Sequence, residues 1–164
     1  MPLLYAKPTE HAIRALILLA IQEDPKPMTV QEIAETEDIS SHHLAKVMKV
    51  LAQNRVIKSS RGPGGGYILL KDPDQITVWD LMGYFEDQSG FKECALGWTE
   101  CQDEDPCPFH DRWGTLRESN QRFLQNVTIE GLAVAAMNKK LKFPASFKEI
   151  ANYSNKEYGD SANP

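Results

Sequence analysis

The sequence predicts a mainly α fold with one small β-hairpin, and three observations carry that expectation. Apolar residues recur at three- and four-residue steps in three stretches before residue 54, each opened by a proline or a capping residue. Two short β-prone runs then flank Arg61-Gly-Pro-Gly-Gly-Gly, a glycine-rich tip. Beyond them, a loop holding every cysteine leads into a long helical pattern whose apolar positions make a seam. Three helices followed by a hairpin read as a winged helix-turn-helix, a DNA-binding unit, and the seam reads as a long dimerisation helix.

The first helix is expected over residues 8–22. Pro8 suits a first turn, and Ile13, Leu16, Ile17, Ala20 and Ile21 keep helical spacing, with Leu18 and Leu19 widening the buried stripe. Asp24-Pro-Lys-Pro ends it, because prolines cannot continue the hydrogen-bond ladder. Thr29 with Glu32 forms a capping box ahead of a short helix, Val30–Glu37, that turns Ile33 and Ala34 inward. After a turn at residues 37–40, Ser40 or Ser41 caps a third helix reaching Gln53. Leu44, Val47, Met48 and Leu51 make its buried face, which leaves His42, Ala45, Lys46, Lys49 and Gln53 opposite. That face carries positive charge without a carboxylate, as a major-groove helix requires, although a merely solvated face would read the same way.

Strands are expected over residues 56–60 and 67–70, joined as a wing whose glycines permit close approach to a groove wall. Arg61 is placed to reach a narrowed minor groove. A nucleotide cradle is disfavoured, since no Lys-Ser/Thr follows the glycines and they lead into a strand. Thr77 caps a helix through Glu86, and the cysteine loop occupies residues 87–107. From Pro108 the long helix carries Trp113, Leu116, Asn120, Phe123 and Val127, and Thr128 caps a last short helix to Lys140. The expected organisation is a DNA-binding domain over residues 1–75, a cysteine loop and dimerisation helix over 76–142, and a polar, flexible tail over 143–164.

Composition narrows the function. At 164 residues, 41% of them hydrophobic and 25% charged, the chain has enough apolar content for a core. Its longest apolar run, residues 15–21, is far short of the ~18–20 residues of a membrane span. The opening Met-Pro-Leu-Leu-Tyr has no basic region or cleavage site, and three clustered cysteines do not suggest a disulfide framework, so a reducing cytoplasm is expected. The net charge of −5 is unevenly placed: residues 40–71 hold six Lys/Arg and no Asp/Glu, whereas residues 76–111 hold nine Asp/Glu and one Lys. DNA responds to the local basic stretch, not to the total. DNA-contact candidates are Ser40, Ser41, His42, Lys46 and Lys49 on the helix, with Arg61, Gly62 and Gly64 on the wing. No catalytic arrangement with convergent spacing is present, so an enzyme is not expected.

The cysteine loop reads Cys94-Ala-Leu-Gly-Trp-Thr-Glu-Cys101-Gln-Asp-Glu-Asp-Pro-Cys107-Pro-Phe-His110. Thiolates and imidazole suit zinc and iron–sulfur centres equally on ligand type, though finger-type zinc sites use closer cysteine pairs. Trp98 and Phe109 are candidates to shield such a centre from water.

Together these segments resemble the dimeric winged-helix regulators of the IscR, NsrR and RirA type. Thr9-Glu-His-Ala-Ile-Arg-Ala-Leu16 resembles the family's opening helix, residues 39–67 its recognition helix and wing, and the Cys94 to His110 loop its cluster loop. The resemblance covers residues 1–140. It implies a homodimer on near-palindromic double-stranded DNA. It also implies an iron–sulfur cluster, 2Fe–2S or alternatively 4Fe–4S, on Cys94, Cys101 and Cys107. The fourth ligand implied is His110, or else Glu10 of the partner subunit's first helix. Where the family's iron–sulfur regulator discriminates sites with an acidic residue, this chain has Ala45, so operator preference does not carry over. The alternative reading is a zinc-stabilised or thiol-redox winged-helix regulator without a cluster.

Overall fold

The structure is a computed structural model that describes residues 5–22, 26–98, 104 and 106–138. Helix α1 (Lys7–Ala20) has Pro8 in its first turn and buries Ala12, Ala15, Leu16 and Leu18 completely. A stripe this wide needs neighbours on several sides, and α1 duly packs against α2, α3, α4 and α6. Its N-cap residue, Ala6, has no side chain able to cap. The Glu86 carboxylate takes that role, accepting the Ala6 N–H at 3.1 Å and the Thr9 hydroxyl at 2.5 Å.

Helix α2 (Val30–Glu37) opens with the Thr29/Glu32 capping box and closes at Asp38, which is left-handed at φ 52°. Helix α3 (Ser41–Gln53) follows directly, completing the helix-turn-helix. Strands β1 (Ile57–Ser60) and β2 (Gly66–Leu69) pair antiparallel, Ile57 opposite Leu69 and Ser60 opposite Gly66. Met28 adds a third edge by exchanging backbone hydrogen bonds with Tyr67 at 3.0 and 2.7 Å. Gly66 makes this possible: a Cβ there would lie 2.6 Å from the Met28 carbonyl.

Helix α4 (Val78–Phe85) starts from a second capping box, Thr77 with Asp80. Helices α5 (His110–Asn126) and α6 (Ile129–Asn138) bring the chain back, and Thr128 bridges Thr77 so that α4 and α6 start side by side. Ile76, Leu81, Met82, Leu124, Ile129 and Ala133 share one core with α1–α3. Helix α5 buries only Leu124, while Leu116 and Phe123 stay more than half exposed, so among the described residues nothing covers that part of its seam.

Several sequence expectations are corrected in detail. The first helix ends at Ala20, because Ile21, though buried, is its C-terminal cap. Ser40 occupies the N-cap of α3 without a side-chain hydrogen bond. The long helix starts at His110 because Pro108 and Phe109 form a turn. Residues 139–164, with the expected polar tail, lie outside the described residues.

Candidate nucleic-acid interface and cysteine site

Burial of Leu44, Val47, Met48 and Leu51 against α1 and α2 fixes which way α3 faces. Ser41, His42, Ala45, Lys46 and Lys49 are consequently exposed, with Ser40 exposed just before them. Arg61, Gly62 and Gly64 are exposed at the hairpin tip, with open space around both glycines. Lys58, exposed on β1, adds a cation that the candidate residues omitted. Its signal was the carboxylate-free stretch of residues 40–71. Together these groups present donors and cations of the kind that hold phosphates and read base edges.

The reading helix is braced from behind. Arg14 of α1 donates from Nε to the Glu37 carboxylate at 2.9 Å and from its terminal nitrogen to the Glu37 carbonyl, at the turn between α2 and α3. Burial pushes the Glu37 carboxyl above its usual range, and Arg14 pulls it partly back. Glu10 lies one turn before Arg14, bonded to Lys7 at 2.6 Å and 3.7 Å from Arg14. The Lys7 hydrogen bond holds the Glu10 carboxyl below its usual range.

The acidic half supplies the second site. Trp79 of α4 meets Phe91 edge-to-face at 4.8 Å, and Gln88 donates to the Trp79 carbonyl at 2.7 Å. The Glu93 carbonyl accepts from the Trp113 indole at 3.0 Å and Arg117 at 3.3 Å, which ties the loop to α5. These ties deliver Cys94 and Cys107, both buried, to one another: the Cys107 side chain is hydrogen-bonded to Cys94. Gly97, left-handed at φ 69°, closes a turn on the Cys94 carbonyl. In that turn the Leu96 N–H, then the Cys107 thiol and the Trp98 and Gly97 N–H groups, favour the Cys94 thiolate and hold its thiol below the usual value. Cys107 receives the His110 N–H on its carbonyl at 2.9 Å.

Two buried sulfurs side by side, one in a cradle of backbone N–H groups, are a donor set that fits a thiolate-bound inorganic centre. Cys101 lies outside the described residues. Among the described residues, no three side chains of ligating type, His110 included, come together. Trp98 and Phe109, expected to shield such a centre, are 63% and 54% exposed in the single chain.

The fold and its exposed basic helix define a winged-helix transcriptional regulator. Residues 5–135 match the Rrf2 family, described as "Iron-dependent Transcriptional regulator", and the chain belongs to that family. It is 34% identical over 146 residues to an HTH-type transcriptional regulator of Aquifex aeolicus (strain VF5), covering 88% of this chain and 99% of that one. It is 32% identical over 119 residues to the HTH-type transcriptional regulator IscR of Cronobacter sakazakii (strain ATCC BAA-894), covering 73% of each. Among solved structures, CymR (YrzC), the global cysteine regulator of B. subtilis, superposes with a TM-score of 0.68 at 25% identity, over 82% of this chain and 98% of that one. IscR of T. potens superposes with a TM-score of 0.66 at 22% identity, over 87% and 94%. The relatives are named as regulators of transcription and not as enzymes, which agrees with the lack of any expected catalytic set.

Proposed function

We propose that the chain is a homodimeric regulator that binds near-palindromic double-stranded DNA under the control of an iron–sulfur cluster on its cysteine loop. The observation that carries this reading is the contact between the buried sulfurs of Cys94 and Cys107 inside the N–H-lined turn. Cys94, Cys101 and Cys107 would hold the cluster, with His110 or the Glu10 carboxylate of a second copy completing the set. When bound, the cluster supplies a centre whose charge responds to redox state, nitric oxide or iron supply.

The protein's own residues carry the consequence to DNA. Glu93 is fastened to α5, and seven residues earlier Glu86 holds the N-terminus of α1. Helix α1 in turn holds the helix-turn-helix through Arg14 and Glu37. A change of order in the cysteine loop therefore bears on the mount of the reading helix. In each copy Ser40, Ser41, His42, Lys46 and Lys49 would face a major groove, with Arg61, Gly62 and Gly64 on the adjacent backbone or minor groove. The exposed seam of α5, Leu116 and Phe123, would be covered by the second copy.

The test is the absorption spectrum and the iron and acid-labile sulfide content of protein purified without oxygen. Coloured protein that loses its colour and changes operator affinity in Cys101→Ala fits the proposal. The Cys94–Cys107 contact also favours a second reading, a zinc or thiol-redox regulator. Colourless protein that carries zinc or no metal, yet binds its operator, would establish that reading instead.

A further inference from the structure

Two of the chain's four histidines, His42 and His43, occupy the first turn of the reading helix α3. Both are exposed, and their rings stand 5.9 Å apart at a tilt of 56°. One turn further on, Lys46 and Lys49 are exposed beside them. A groove of about 400 Å3 lies between His43 and Lys46 on α3 and Lys7 and His11 on α1, and no carboxylate among the described residues lines it. The acids of the neighbouring elements are engaged elsewhere. Glu10 of α1 is held by Lys7 and Arg14, and Glu37 of α2 by Arg14. On α2, Glu32 closes the capping box and Glu35 accepts from Gln31, while Glu86 after α4 accepts from Ala6 and Thr9. Asp38, exposed at the turn before α3, is the acid closest to the two histidines in sequence.

Imidazole is the one side chain whose ordinary charge change falls between about pH 5 and 8. The first turn of a reading helix is the part that enters the major groove, so a bound duplex sets phosphates and base edges against both rings. An anion within a few Å favours the protonated imidazole. Resting on the DNA-binding reading of the proposed function, we propose that His43 joins His42 in the DNA contact and that both imidazoles take up protons as the duplex binds. A protonated pair adds its charge to that of Lys46, Lys49 and Arg61, so the grip strengthens as pH falls. Each imidazole holds its proton more tightly in the complex than in the free chain. The gain is therefore complete below the free-chain value and is lost as pH rises through the value in the complex. His11 takes no part: burial holds its imidazole below the usual range, so it faces the groove uncharged at neutral pH.

The experiment uses the full-length protein, purified without oxygen, and a duplex that the protein selects from a random-sequence pool. Affinity is measured from about pH 6 to about pH 8 at fixed ionic strength. It should weaken roughly ten- to hundredfold over that range, about tenfold for each imidazole whose value rises by about one unit. His42→Gln and His43→Gln should each remove part of this dependence and the double variant nearly all of it, because glutamine keeps hydrogen-bonding capacity without titrating. Both rings are exposed, so the variants should fold. Calorimetry in two buffers of different ionisation heat counts the protons directly. It should find about one taken up per chain near neutral pH in the wild type and none in the double variant. Affinity independent of pH, dependence that survives in the double variant, or full dependence in His43→Gln, each overturns the proposal. A duplex bound with a flat pH profile removes only the proton uptake, whereas protein that selects no duplex removes the DNA-binding reading with it.

Discussion

Arg14 and Glu37, one on the first helix and one at the turn of the helix-turn-helix, form a buried ion pair at 2.9 Å, with the acid 5% and the arginine 35% exposed. A second hydrogen bond runs from the same guanidinium to the Glu37 carbonyl, so the turn's backbone is gripped along with its side chain. The forked geometry of arginine allows both bonds at once, and lysine could not reproduce them. The angle at which α3 leaves α2 thus depends on a residue of α1.

Arg14→Ala should destabilise the fold by roughly 2–3 kcal/mol at neutral pH, below the ~3–5 kcal/mol of a fully buried pair because part of the guanidinium is already in water. Burial raises the Glu37 carboxyl above its unfolded value. The folded chain therefore holds that proton to higher pH, and the group's contribution to stability falls as pH rises from the ordinary carboxylate range through the raised value. Without Arg14 that window extends upward, so the deficit of Arg14→Ala should grow from acid to neutral pH. Glu37→Gln should flatten this slope. Urea unfolding across that range checks it, and a deficit independent of pH would contradict it.

Gly66→Ala should cost about 1–3 kcal/mol and weaken operator binding, since an added Cβ would meet the backbone of Met28 and neither side is a movable side chain. The Met28–Tyr67 bridge would open, freeing the wing's outer edge. Gly64→Ala, with open space around it and φ at 73°, should cost only the strain of a left-handed backbone. Thermal unfolding of the two variants side by side separates steric from conformational cost.

What was legible in the sequence was what local spacing encodes. The stripe Leu44, Val47, Met48, Leu51 named the buried face of α3 and, by elimination, its exposed one. Thr29 with Glu32 and Thr77 before α4 marked helix starts, because a capping box lies within four residues. Contacts between distant segments left no such mark. Glu37 and Glu86 look like ordinary surface acids, and only the fold brings them to Arg14 and to the start of α1, 23 and 80 residues away. The Met28 edge is a single bridge, too short to show an alternating pattern. At the cysteine site, spacing brought out the ligand types but not the N–H cradle, which depends on the turn at Gly97. Nor could it show that Trp98 faces outward.

Arg61→Ala should lower operator affinity and reduce the salt dependence of binding by about one phosphate-equivalent if its contact is ionic. Arg61 is exposed at the hairpin tip, so the fold should tolerate the change and thermal stability should stay within about 0.5 kcal/mol. Lys58→Ala, on the neighbouring strand, should act in the same direction if the wing lies along the backbone. Binding titrations at several salt concentrations decide it. An unchanged slope for both variants would remove the wing from the interface.

Glu86→Ala removes the acceptor for the Ala6 N–H and for the Thr9 hydroxyl, and Thr9 is wholly buried. A lost N-terminal cap costs about 1 kcal/mol, and a buried hydroxyl left without an acceptor adds roughly 1–3 kcal/mol, so a loss near 2–3 kcal/mol is expected. Thr9→Val in the same background should recover part of it, because the orphaned hydroxyl is then gone while the methyl groups keep the packing. The consequence for DNA is separate from the consequence for stability. Glu86 stands between α4 and the cysteine loop, so cutting its hold on α1 should make operator affinity less responsive to the state of that loop. The check compares operator affinity before and after thiol oxidation, and before and after treatment with a chelator, in wild type and Glu86→Ala. A full response in the variant would show that the signal reaches α3 by another route.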